Sequence, residues 1–144
     1  KGNEMAYISQ EKKKELAPAI KAVLKKYGMK GTIGINHHSS LVVNLKEGVL
    51  DLLGDAQKHN DKVAEQRGQQ SYPIGDHLQV NTCYADEWAT DEKISNFYEE
   101  LIGAMKGTTW YNKSDAMSDY FDIAYYLDVN VGKWDKGYVL KEAA

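Results

Sequence analysis

The chain has a single cysteine, Cys83. An internal disulfide is therefore excluded, and a lone thiol fits a reducing, cytoplasmic setting. No apolar run approaches the roughly 20 residues of a membrane-spanning helix. The opening residues carry no signal-peptide pattern. Net charge is −3, too small to imply a nucleic-acid or membrane partner by itself. Cys-pair, His-x-x-x-His and His-Glu-x-x-His spacings are all missing, which removes the common zinc sites. Gly28, Gly31 and Gly34 are not followed by Lys-Ser/Thr, so they form no phosphate loop. There is no internal repeat and no low-complexity tract. On this reading no cofactor is expected, and enzymatic activity is disfavoured.

What remains is the composition of an ordinary globular domain, with ten tyrosines among its 144 residues. A chain of this length buries about two-thirds of the surface it exposes when unfolded, enough for one core without staples. Met5 to Ser9 reads as a natural start, which sets residues 1–4 apart. Residues 5–134 are then one domain and 135–144 a C-terminal tail, with Tyr138 to Leu140 laid against the body. Charge is uneven. Residues 1–50 hold nine Lys against four Glu, giving +5, and residues 51–144 hold nine Lys/Arg against seventeen Asp/Glu, giving −8. Such asymmetry marks either a basic and an acidic face or two solvated helix surfaces.

The strongest pattern lies between Asp122 and Trp134. Ile123, Tyr125, Leu127, Val129 and Val131 alternate with Asp122, Ala124, Tyr126, Asp128 and Asn130, the signature of a strand with one apolar and one polar side. At roughly ten residues it exceeds the usual five or six, which predicts a central position in the sheet.

Upstream, Ser9 and Glu11 open a helix whose Leu16, Ile20, Val23, Leu24 and Tyr27 recur at helical spacing until Gly28. Pro18 should kink or divide it. Thr32 to Asn36, Leu41 to Leu45 and Val49 to Leu53 read as three strands in a meander, with Asn-His-His-Ser-Ser as the first turn. Residues 55–67 are polar, with only Ala56, Val63 and Ala64 to bury, and predict a loosely docked helix or a partly ordered connection. His77 to Cys83 alternates as a further strand. Thr90 then caps a helix with a broad stripe of Ile94, Phe97, Tyr98, Leu101, Ile102 and Met105, closed by Lys106-Gly107. Thr108 to Tyr111 predicts a short edge strand. The fold class expected is α+β: an antiparallel sheet of about five strands with two main amphipathic helices on one face.

Several groupings carry candidate chemistry. His77 and Cys83 share a strand face but lie about 20 Å apart along it, too far for a nucleophile–base pair. His37, His38 and His59 are expected at the surface. Asp115, Asp119 and Asp122 would share one side of a helical turn, a weak candidate set for a divalent metal and, with it, for a metal-dependent enzyme as a further alternative. Lys14, Lys21, Lys25 and Lys26 line the first helix without arginine or interleaved aromatics, and supply a nucleic-acid or nucleotide alternative. The least trivial grouping is on the sheet. Asn44, Asn81 and Asn130 each follow a Val on the polar face of a strand, beside Gln79, Tyr126 and Asp128. If these strands are neighbours, the six residues form a polar binding surface opposite the helices.

Three stretches also carry a likeness: Met5 to Lys14 (Met-Ala-Tyr-Ile-Ser-Gln-Glu-Lys-Lys-Lys), Leu41 to Gly48 (Leu-Val-Val-Asn-Leu-Lys-Glu-Gly) and Ser114 to Trp134. Over nearly all of residues 5–134 the chain resembles the small "large polyvalent protein associated" domains encoded by phages, prophages and conjugative plasmids. The resemblance implies an accessory role for a mobile element, acting on host or defence proteins, and the function expected is that of a non-enzymatic binding module. It carries over no catalytic residue.

Overall fold

The computed structural model describes residues 6–112 and 123–142. Its elements in order are α1 (Gln10–Lys26), β1 (Met29–Asn36), β2 (Ser40–Gly48), α2 (Leu52–Arg67), β3 (Leu78–Val80), α3 (Ala85–Trp88), α4 (Glu92–Lys106), β4 (Tyr126–Val131) and β5 (Val139–Leu140). The class is α+β. The sheet has the order β1-β2-β4-β3, with β5 added alongside the end of β2.

The sheet is mixed rather than antiparallel throughout, which corrects the sequence expectation. β1–β2 and β3–β4 are antiparallel, but β2 pairs in parallel with both β4 and β5. The cause is the connection. After β2 the chain passes through α2, β3 and α4 before it returns, and such a long crossover lets β4 run in the same direction as β2. Alternation along a strand carries no information about its neighbour's direction.

α1 is a single helix. Ser9 caps it by accepting a hydrogen bond from the Lys12 backbone at 3.0 Å, with Glu11 in the first turn and Lys25 and Lys26 in the last. Pro18 does not divide it. Its ring lies on the exposed side, where water can reach the Lys14 carbonyl left without its donor, while Leu16, Ile20 and Leu24 dock below. α4 is capped by Asp91, one residue later than expected, through the Lys93 and Ile94 backbone N–H groups. Its Phe97, Leu101 and Met105 are fully buried. They meet α1 and the inward row of sheet residues Leu41, Val43, Leu45, Val129 and Val131 in one continuous core. Each such side chain contributes about 1.5–3 kcal/mol by leaving water.

Val49 to Leu53 is not a strand. Leu50 and Leu52 are buried, but Asp51 between them accepts from the Gly54 backbone at 3.0 Å and starts α2. The run Val-Leu-Asp-Leu-Leu is too short for its period to choose between helix and strand. α2 itself is well formed, ending at Gly68 in the left-handed conformation (φ 65°). The strand from Asp122 is shorter than expected, covering Tyr126–Val131. Ile123 makes only an isolated bridge to Asn112, and this is what stands in place of the Thr108–Tyr111 edge strand. Gly132, at φ 71°, ends β4, and a Cβ there would lie 2.5 Å from the Tyr138 backbone nitrogen. That close approach lets the Tyr138 N–H reach the Asp76 carbonyl at 2.9 Å. The tail is thus anchored: Tyr138 is buried and donates to the Leu50 carbonyl at 2.7 Å.

Candidate binding surfaces

The helices cover one side of the sheet and leave the other to the polar residues of alternate positions. Register places Thr32 opposite Asn44, Asn44 opposite Asn130 and Asn130 opposite Gln79, a single row crossing β1, β2, β4 and β3. The Asn130 amide donates to Asn44 Oδ1 at 3.1 Å, and the Gln79 amide donates diagonally to Asp128 Oδ1 at 3.0 Å. Tyr126, two residues before Asp128 on the same face, has 47% of its surface exposed. Five of the six residues expected to form this surface therefore share it. Asn81 does not. β3 stops at Val80, and the Asn81 side chain instead accepts from the Cys83 backbone at 3.0 Å, closing the turn into α3. Gln79, expected on the same face, is the residue of β3 that stands opposite Asn130.

The lysines divide. Lys14, Lys21 and Lys25 are exposed and, at spacings of seven and four, lie along one side of α1. Lys26 turns to α4 and pairs with Glu100 at 2.8 Å. The Tyr27 hydroxyl donates to the other oxygen of the same carboxylate. These two hydrogen bonds, Lys26 first, hold the Glu100 carboxyl below its ordinary range, and Glu100 in turn raises the Lys26 ammonium. The basic first third and the acidic remainder of the chain thus meet at the α1–α4 contact. Tyr27, the aromatic residue of this helix end, is buried.

Asp115, Asp119 and Asp122 lie outside the described residues. Among the described residues no three His, Cys, Asp or Glu side chains are grouped to hold a metal. Cys83 is exposed, His77 hydrogen-bonds its neighbour Asp76 at 3.0 Å, and His37 and His38 form the β1–β2 turn at φ 54° and 59°.

A second surface was not anticipated from the sequence. α2, the 69–74 segment, β3 and α3 enclose a groove of about 660 Å³. Polar side chains build it. The Gln57 amide donates to the Tyr72 carbonyl at 3.1 Å and accepts from the Ile74 backbone at 2.7 Å, fastening the returning segment to α2. Asp61 accepts from Ser71 at 2.5 Å, and this bond, with a second from Gln57, lowers the Asp61 carboxyl. At the other end of the helix Asp55 is buried and accepts from the backbones of Thr90 and Asp91 at 2.9 and 2.8 Å. These carboxamide and carboxylate ties explain how a helix burying only Leu52, Asp55 and Ala64 is held in place. The residues of 55–67 that looked too polar to dock are the ones that dock it. Along one wall, Trp88 stacks with His59 and with Tyr84, with ring centroids 5.4 and 5.6 Å apart.

Comparison with family models, with curated proteins and with solved structures finds no match.

Proposed function

We propose that this chain is a non-enzymatic accessory binding protein of a mobile genetic element, acting by contact between its open sheet face and a host or defence protein. The observation that supports this reading best is the register of β2, β4 and β3. It sets Asn130 with Asn44, and Gln79 with Asp128, as two neighbouring cross-strand hydrogen-bonded pairs beside the half-exposed ring of Tyr126. Side chains already fixed by one another lose little rotamer freedom when a partner docks, and a tyrosine at the rim supplies apolar area with a polar tip. Carboxamides that bond across strands still offer free N–H and C=O valences outward.

A photo-crosslinking residue at position 126 tests the reading in lysate from cells able to host such an element. The expected product is a defined adduct at position 126 that is absent with the crosslinker at position 25 on α1. It should disappear when Asp128→Lys is added. Equal labelling from both positions would contradict a specific surface.

The aligned Lys14, Lys21 and Lys25 support a second reading, nucleic-acid contact through α1. That reading predicts a gel shift at low salt that weakens as salt rises and is lost when the three lysines become Glu. No shift at low salt removes it.

A further inference from the structure

The groove beside α2 has a floor that the sheet-face reading does not use. Leu52, Ala64, Val80, Ala85 and Tyr98 form it, all of them buried. Tyr98 is 6% exposed, yet its hydroxyl makes no hydrogen bond with any described residue. The other three buried tyrosines among the described residues all have partners, Tyr27 donating to the Glu100 carboxylate. Tyr125 donates to the Met105 carbonyl at 2.6 Å and Tyr138 to the Leu50 carbonyl at 2.7 Å. Among the described residues no buried side-chain oxygen or nitrogen is both sealed and unpartnered, so the Tyr98 hydroxyl opens into the groove. A hydroxyl that meets no protein acceptor and opens into a cavity is a donor available to a ligand's acceptor.

Its neighbour is Asp55. Burial first, and the Asp55 carboxylate second, push the Tyr98 phenol far above its ordinary range, so it stays protonated and donates. Asp55 Oδ1 is occupied by Thr90 and Asp91, through contacts of 2.9, 2.5 and 2.8 Å. Oδ2 has only the longer 3.2 Å contact to the Thr90 backbone and keeps capacity to accept. A hydroxyl donor and a carboxylate acceptor lining the same groove are complementary to the C=O and N–H at the edge of a cyclic amide. Asp55 disfavours an anionic group at the floor; the cation that lines the groove, Arg67, is exposed at the end of α2. The largely apolar floor and the Trp88 wall favour a flat ring over a flexible polar chain, and the volume of about 660 Å³ suits a small molecule.

We infer that this groove is a binding site for a neutral, planar heterocycle with a lactam edge, of the nucleobase type, held by Tyr98 as donor and Asp55 as acceptor. The site lies beside α2 rather than on the open sheet face, with Gln79 the one side chain common to both.

Calorimetric titration of the full chain with uridine and inosine, which carry a lactam edge, tests this against benzoate and toluene, which lack one. Binding of either nucleoside, with at least tenfold weaker binding of benzoate and toluene, is expected. Tyr98→Phe keeps the ring and removes only the unpaired hydroxyl, so its melting temperature should match the parent while nucleoside affinity drops about five- to tenfold, the worth of one neutral hydrogen bond. Three results would overturn the inference: no nucleoside binding at millimolar concentration, equal binding of toluene, or unchanged affinity in Tyr98→Phe. Should the nucleosides bind and the affinity survive in Tyr98→Phe but vanish when Lys14, Lys21 and Lys25 become Glu, the site is on α1 and the groove is not it.

Discussion

His37 and His38 sit at positive φ as the two central residues of the turn between β1 and β2, closed by the Ser39 N–H donating to the Asn36 carbonyl at 3.2 Å. Gly and Asn adopt this conformation at less cost than other residues. The double substitution His37→Asn with His38→Gly installs the preferred pair for this turn and should stabilise the protein by about 1–2 kcal/mol. A urea-unfolding midpoint that rises at constant slope checks it; an unchanged midpoint would show that the turn carries no strain. The tyrosines make a separate residue-level prediction. Burial raises the Tyr125 phenol to about 12 and raises Tyr138 further in the same direction. A phenol raised in the folded state favours folding fully below its unfolded value near 10, and that contribution is lost as pH climbs through 12. The urea midpoint should therefore fall between about pH 10 and 12. Tyr125→Phe should start lower, having lost its bonds to the Met105 and Lys106 carbonyls, and should decline less steeply.

At the level of elements, α2 is the informative case. Its sequence offers little apolar surface, and its position depends on Gln57, Asp61 and Asp55 reaching backbone and hydroxyl groups elsewhere. Gln57→Ala should release residues 69–75 while costing the whole molecule no more than about 1–2 kcal/mol. Hydrogen exchange reads this directly: faster exchange confined to that segment is expected, and uniform acceleration across α4 would contradict it. Phe97→Ala, by contrast, opens a hole at the centre of the core and should cost about 3–5 kcal/mol. The difference between these two residues is also the difference in what sequence reveals. The stripe of α4 and the alternation of β4 are local and periodic, so both elements are legible. Docking by a carboxamide whose partner lies 15 residues further along the chain leaves no periodic trace. Neither does parallel pairing of β2 with β4, because it is decided by where the intervening chain travels. The polar face was legible at Asn44, Gln79, Tyr126, Asp128 and Asn130, since strand alternation alone assigns them to it. Asn81 escaped because the point where β3 yields to a turn is set by its own side chain capping Cys83.

On the scale of the molecule, the two stretches of unequal charge meet at Lys26–Glu100, an ion pair between α1 and α4. On the proposed reading, folding and display fall on opposite sides of one sheet. The core side holds the molecule together, and exposed positions of the polar side such as Tyr126 are expected to tolerate change. The most direct test is a paired measurement on Tyr126→Ala with Asp128→Lys: thermal unfolding, and capture of the protein crosslinked through position 126. The predicted result is a melting temperature within a few degrees of the parent with capture lost. Capture retained at parental level, or capture lost only in step with unfolding, would contradict the sheet face as the binding surface.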